Sequence, residues 1–461
     1  MRVLIVLSAL FNFLFAEEAV GKAVEVAHSG AVDLTSSWVG ILCLVIFVVG
    51  YYLIAAEESY HMNKAKPALF IGTLMFMLIG VYYYTNHMST HYLHEELGKL
   101  ILEISEIFFF LFVAMTYIET MIERNVFEVL KYKLISRGYT YKKIYWITGL
   151  LAFFISPVAD NLTTALILST VLVTIDRTHK EFLVPGAINI VVAANAGGAW
   201  SPFGDITTLM AWTAGKGTVV DFLALFPASI VGWWLTAFLL SRVVPEGEPH
   251  FDIHTTEKLE LKPGAKTVIW LGVFTIAVAV LSHQFFHFPA MWGMMFGLSL
   301  LKTYSYNLKR KCDNPFNVYV NMEKVEHDTL FFFFGILSAV GALHFLGYLE
   351  YIVKLYDIIG NTTGNIGVGF ISAIIDNVPV MSAILKANPA MDDAQWMLVT
   401  MTAGIGGSLI SFGSAAGVGV MGKIRGIYTF NSHIKYAWTI LIGYAISIAI
   451  WYVQFEILGI Y

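Results

Sequence analysis

The sequence predicts an all-α polytopic membrane protein built as two inverted repeats, each with a re-entrant hairpin and a broken transmembrane helix. Three observations predict it. Hydrophobic residues make up 57% of the 461-residue chain and charged residues only 13%, whereas a soluble domain carries about 25% charged residues. Apolar stretches long enough to cross about 30 Å of hydrocarbon recur from end to end. The third observation is a duplicated pattern. Ser156-Pro157-Val158-Ala159-Asp160-Asn161 is followed by Gly197-Gly198-Ala199-Trp200-Ser201-Pro202-Phe203-Gly204-Asp205. Ser372-Ala373-Ile374-Ile375-Asp376-Asn377 is likewise followed by Gly406-Gly407-Ser408-Leu409-Ile410-Ser411-Phe412-Gly413-Ser414.

Residues 1–36 read as a signal peptide or first helix followed by a periplasmic segment: Arg2 and an apolar run over 3–14 precede Phe15-Ala16 and Glu17-Glu18. Apolar segments then fall near 37–55, 67–84, 98–122, 144–175, 186–212, 222–241, 267–285, 288–304, 328–348, 365–388, 394–422 and 436–458. Segments 144–175 and 365–388 are awkward lengths for one crossing and carry an Asp-Asn step internally, so they are expected to enter the bilayer and return on the same side. Segments 186–212 and 394–422 are interrupted by Gly-Gly and Phe-Gly and read as half-helices around an unwound loop. The glycine pairs are expected to let that loop turn without strain. The first repeat is then 37–241, the cytoplasmic linker 242–266 and the second repeat 267–461.

Basic residues support this trace. With 123–143 on the cytoplasmic side, that loop and 56–66, 176–182, 242–266, 302–327 and 423–435 hold 22 of the chain's 28 Lys and Arg residues. The opposite side holds Lys22, Lys216, Lys354 and Lys386. Such a bias orients multi-pass proteins, and the bacterial inner membrane is the expected location. The two repeats start on opposite sides, which makes them inverted. No basic stripe with interleaved aromatics is present, so nucleic acid is not an expected partner. Cys43 and Cys312 support neither a disulfide framework nor a metal cluster.

A carboxylate at mid-membrane costs at least about 2.5 kcal/mol on insertion scales, so Asp160, Asp205 and Asp376 need a reason. Capping of a half-helix would explain one of them. Three at matching helix breaks point instead to the substrate site of a transporter. Oxygen ligands suited to a hard monovalent cation surround them: Asn161, Thr163, Thr164, Thr207 and Thr208 in the first half, and Asn377, Ser408, Ser411 and Ser414 in the second. Asn195 is placed to act as a ligand or to fix the loop, and Asn189 reads as a helix–helix hydrogen bond. No Cys/His set accompanies them, which disfavours a transition metal. Neighbouring carboxylates also compete for charge, as a site that takes up protons requires. Glu103 and Glu106 share a helix face as a possible access route or pH sensor. His94, with His87 and His91, titrates in the right range to modulate activity.

These strings resemble the signatures of NhaD-type sodium/proton antiporters, of the ion transporter superfamily. The resemblance rests on Ser156–Thr164, Gly197–Thr208 and Asp376-Asn377-Val378-Pro379, and it covers nearly all of the chain after residue 35. It implies exchange of Na+ (or Li+) for H+, the two-hairpin inverted-repeat fold and a homodimer in the lipid bilayer. No cofactor is implied beyond the transported ions. Asp160, Asn161, Asp205, Thr207, Thr208, Asp376 and Asn377 match the family's motif positions, Ser408 and Ser411 less firmly. A sodium-coupled carboxylate carrier on the same scaffold is the alternative, disfavoured because an acidic pocket repels an anion. Arsenite export lacks a soft-ligand feature. An intramembrane aspartyl protease with Asp160 and Asp376 as its dyad is remote, since the doubled glycine breaks would have no purpose there.

Overall fold

Among the described residues the chain is helical throughout, with no strand. The computed structural model describes residues 33–55, 62–249, 260–311 and 314–459. Most of the N-terminal segment, part of the 242–266 linker and Cys312 therefore lie outside the described residues.

In chain order the helices are α1 (Trp38–Ala55), α2 (Ala65–Thr85), α3 (His91–Glu123), α4 (Val126–Ile135), α5 (Tyr141–Ala159), α6 (Asn161–Ile175) and α7 (Lys180–Ala199). Next come α8 (Ile206–Thr213), α9 (Val219–Ala224), α10 (Phe226–Ser241), α11 (Ala265–Phe286), α12 (Ala290–Lys309), α13 (Val318–Glu323) and α14 (His327–Phe345). The chain continues with α15 (Glu350–Ile359), α16 (Asn361–Ile374), α17 (Asn377–Ala387), α18 (Asp393–Gly406), α19 (Ala415–Lys423), α20 (Phe430–Ile434) and α21 (Ala437–Trp451). A π-helical turn over Tyr452–Ile457 extends the last of these. Seven spans among the described residues are long and apolar enough to cross a membrane, as a multi-pass protein requires.

The chain forms two compact units. One takes the described residues up to Ile104 together with Phe331–Val353; the other takes Ser105–Leu330 and Lys354 onward. In the first unit, α2 and α14 press together through Gly72 and Gly335, where any Cβ would strike the facing backbone. Small residues let two apolar helices approach in this way when lipid provides no driving force between them. Tyr83 and Tyr92 then pack on Phe345.

The second unit holds the duplicated pattern. Segment 144–175 folds as α5 and α6 meeting at Asp160, and segment 365–388 as α16 and α17 meeting at Ile375-Asp376. At 1.5 Å per residue α6, α16 and α17 reach about 22 Å or less, too short to cross about 30 Å of hydrocarbon. Helix α7 has no polar face: every residue from Phe182 to Ala199 is buried, as expected of a helix enclosed by others. Helix α18 is buried from Ala394 to Gly406. Helices α10 and α21 cross where Gly232 faces Ser447 and Gly443 faces Thr236.

Candidate functional site

At the first tip, α5 stops and α6 starts at the same residue. Asp160 has φ 53° and ψ 161°, a region open to glycine and strained by about 1–3 kcal/mol for other residues. The carboxylate offsets part of that strain. Its Oδ1 accepts the Thr163 N–H at 2.8 Å, and its Oδ2 accepts the Thr163 hydroxyl at 2.8 Å. Glycine would relieve the backbone, so the side chain is what this position keeps. The second tip is relaxed: Ile375 is extended, and Asp376 opens α17 at φ −42° and ψ 139° without a side-chain cap bond.

The helices break later than the glycine pairs suggest. Helix α7 runs through Gly197 and Gly198 to Ala199, and α18 runs through Gly406. None of Gly197, Gly198, Gly406 and Gly407 has a positive φ, so the expectation that these glycines turn the loop is corrected. They are needed for close approach. A Cβ on Gly197 would collide with the Phe153 carbonyl, and one on Gly406 with the Gly369 carbonyl. A Cβ on Gly198 would lie 2.7 Å from the Gly204 oxygen, and one on Gly407 2.7 Å from the Gly413 oxygen. The Ser156 hydroxyl donates to Ala194 O at 2.6 Å, and the Ser372 hydroxyl to Ala403 O at 2.7 Å. The same contacts thus seat each hairpin on its broken helix.

Four helix N-termini meet here. Their caps are Asp160 on α6, Asp205 on α8, Asp376 on α17 and Ser414 on α19. Asp205 is 4% exposed. Its Oδ1 accepts the Ile206 N–H at 2.7 Å and its Oδ2 the Thr207 hydroxyl at 3.0 Å. Thr208 completes a capping box, taking the Asp205 N–H at 3.2 Å. Capping, which alone could explain one carboxylate, is thus real at Asp160 and Asp205. Each cap adds favourable interaction between a negative charge and a helix N-terminus.

Two amides tie the halves together. Asn377 Nδ2 donates to Asp205 Oδ2 at 2.8 Å. Asn195 Nδ2 donates to Ser408 Oγ at 2.8 Å and to Ser414 Oγ at 2.9 Å, and its Oδ1 accepts from Asn161 Nδ2 at 3.0 Å. Asp205 lies within electrostatic reach of both Asp160 and Asp376. Among the described residues no three His, Cys, Asp or Glu side chains converge to hold one metal ion. A cation here would draw on amide, hydroxyl and carbonyl oxygens besides a carboxylate. The hydroxyls of Thr164 and Ser411 are buried and have no hydrogen-bond partner among the described residues.

The chain is similar in sequence to known transport proteins. A citrate transporter family model matches residues 51–404. The Na+/H+ antiporter NhaD of Alkalimonas amylolytica is 44% identical over 92% of this chain and 92% of its own length. That of Vibrio cholerae is 43% identical over 91% and 93%. The chain belongs to the NhaD antiporter family. Its similarity extends to a plant relative, sodium/proton antiporter 1 of Arabidopsis thaliana, at 30% identity over 92% of this chain and 74% of the relative. The family read from the three motif strings is therefore the right one, and its antiporters are transporters rather than enzymes.

The remaining candidates of this NhaD-family chain are Asn189, Glu103, Glu106 and His94. Asn189 is a helix–helix tie, donating to Tyr145 O at 2.8 Å and accepting from Trp233 Nε1 at 2.9 Å. Glu103 and Glu106 are half-buried on α3, and His94 is exposed near its start. A cavity of about 270 Å³ reaches Asp160 and Asp205, walled by Phe110, Met115, Phe154, Phe203 and Met294. Sequence reasoning missed His433. It is fully buried on α20; its Nε2 donates to Ser408 O at 3.0 Å and its Nδ1 accepts from the Tyr428 hydroxyl at 2.7 Å. This neutral tautomer satisfies both ring nitrogens and braces the second break. A lone histidine in a loop carries no pattern that could have announced it.

Proposed function

We propose that this chain exchanges Na+ (or Li+) for H+ across a bacterial inner membrane by alternating access, with the two ions competing for buried carboxylates. One observation carries the reading: three of the four converging helices begin at the chain's own Asp160, Asp205 and Asp376, the first two with side-chain cap bonds. A helix N-terminus is a ready-made anion site. Here each of the three has an aspartate as its own anion, and what the cluster then lacks is a cation. Loading sodium displaces protons and the reverse; a site stripped of both would carry uncompensated charge and resist crossing. Two protons per sodium would move one net charge, driven by about 2.3 kcal/mol per 100 mV.

The ligands we assign are Asp160, Asp205 and Asp376 for charge, with Asn161, Thr163, Asn195, Thr207, Thr208, Asn377, Ser408 and Ser411 supplying or orienting oxygens. Paired contacts at Gly197 and Gly406, and at Ser156 and Ser372, support two inverted repeats over 37–241 and 267–461. A homodimer and a role in pH homeostasis follow from the family reading.

The citrate transporter match keeps a sodium-coupled carboxylate carrier as the second reading, and the carboxylate caps count against it. Everted vesicles holding an acid-inside gradient separate the two. Alkalinisation on adding sodium or lithium, and not potassium or citrate, is expected, and its loss in Asp160→Asn and Asp376→Asn. Citrate uptake with no sodium response from pH 6 to 9 would replace exchange with the carboxylate carrier.

A further inference from the structure

The two breaks follow one pattern, and laying one over the other exposes an exchange of side chains. Gly198, Phe203, Gly204 and Asp205 correspond to Gly407, Phe412, Gly413 and Ser414. The same register places Asn195 of α7 opposite Gly404 of α18. Where the first break has a carboxylate, its facing helix has no side chain. Where the second break has a hydroxyl, its facing helix has a carboxamide.

The contacts make the exchange physical. A Cβ at Gly404 would lie 3.7 Å from Asp205 Oδ2, 3.9 Å from Ala199 Cβ and 4.0 Å from Asn195 O. Gly404 thus borders the carboxylate and a backbone carbonyl, and places no group of its own between them. At the counterpart position the Asn195 amide fills the corresponding place, donating to both Ser408 and Ser414. Asn195 is fully buried and held by three hydrogen bonds, so moving it aside would leave several buried polar groups without partners.

We propose that Gly404 and Asn195 set the number of cation positions in this fold to one: Gly404 opens the position beside Asp205, and Asn195 closes its counterpart beside Ser414. The inference rests on the cation-exchange reading and deepens it. Asp205 lines the open position, and Asn377 holds the same carboxylate oxygen from the other hairpin tip through its amide nitrogen. On the closed side the Asn195 amide nitrogen stands where a cation would, supplying N–H donors to the same hydroxyls. A sodium ion and an amide N–H group make similar demands on surrounding oxygens, so one replaces the other without rebuilding the loop.

Gly404→Ala is the decisive variant, because its added methyl meets only ordinary van der Waals distances and the fold should accept it. Sodium binding to the purified full-length chain, titrated with NaCl in a choline background, is expected to show one ion per wild-type chain. Gly404→Ala should weaken it by about tenfold or more, the usual cost of a methyl-sized intrusion, with an unchanged melting temperature. The double variant Asn195→Gly/Ser414→Asp rebuilds the Asp205–Gly404 pair in the second half and should bind two ions per chain. Two ions per wild-type chain, or unchanged affinity in a folded Gly404→Ala protein, would overturn the inference while leaving exchange intact. A wild-type chain with neither sodium binding nor proton exchange would instead sink the functional reading itself.

Discussion

The two breaks take the same backbone path to different chemical ends. Both leave a buried helix past a glycine pair, curl back through Phe-Gly and open a new helix. The first delivers Asp205 and the second Ser414, each as the helix cap. The backbone device is therefore generic, and a single side chain decides whether the loop presents a charge. The largest test of that contrast is Asp205→Asn against Ser414→Ala. Orienting partners of a bound ion are worth about 10–100-fold in affinity, so removing Asp205, which the proposed exchange assigns as a direct charged ligand, is expected to cost sodium-driven proton flux more than about 100-fold. Ser414→Ala loses a cap and an amide contact, worth about 1 kcal/mol, and should reduce flux less than tenfold. Equal losses in vesicle assays would mean that both breaks contribute in the same way.

The breaks also differ in their supports. His433 braces the second through Ser408, and burial pushes its pKa down to about 4 from 6.5, against the Ser408 and Leu409 backbone hydrogen bonds that raise it. Below pH 6.5 the unfolded chain binds a proton that the folded chain refuses, so this group lowers stability as pH falls and has no effect above that point. The loss accumulates to about 3 kcal/mol by pH 4. His433→Gln is expected to melt below wild type at pH 7.5, with the gap narrowing steadily from pH 6.5 to 4.5. Parallel melting curves across that range would show that His433 is not the acid-sensitive brace.

What the sequence conveyed and what it withheld divide along physical lines. Asp160, Asp205 and Asp376 stood out because charge is costly in apolar surroundings, and the tips and breaks were legible because their spacing recurs. The purpose of the glycines was not legible. A glycine that permits a positive φ and one that permits a close approach are the same letter, and only the Phe153 and Gly369 carbonyls tell them apart. Gly404 is one of 38 glycines, and nothing in its neighbours announces Asp205 lying against it. Asn195 was visible as a candidate ligand, but its three hydrogen bonds link residues far apart in the chain. The family, by contrast, was fully readable, because Gly197–Thr208 packs a glycine pair, a Phe-Gly step and a capping carboxylate into twelve residues.

The tips offer the smallest and sharpest test, because the same substitution should move them in opposite directions. Asp160 occupies a φ, ψ region open to glycine, at a cost of about 1–3 kcal/mol, whereas Asp376 does not. Asp160→Gly relieves that strain and loses a cap whose replacement by glycine costs only a few tenths of a kcal/mol. Its melting temperature should hold or rise while exchange disappears. Asp376→Gly meets no strain to relieve and adds chain entropy to the unfolded state, which should lower stability by about 0.5–1 kcal/mol. Proteins tolerate strain where function needs a side chain that the backbone would rather do without. A destabilised Asp160→Gly protein would mean that the carboxylate holds the first tip together; a stable, inactive one would mean that the tip is strained to keep a charge in place.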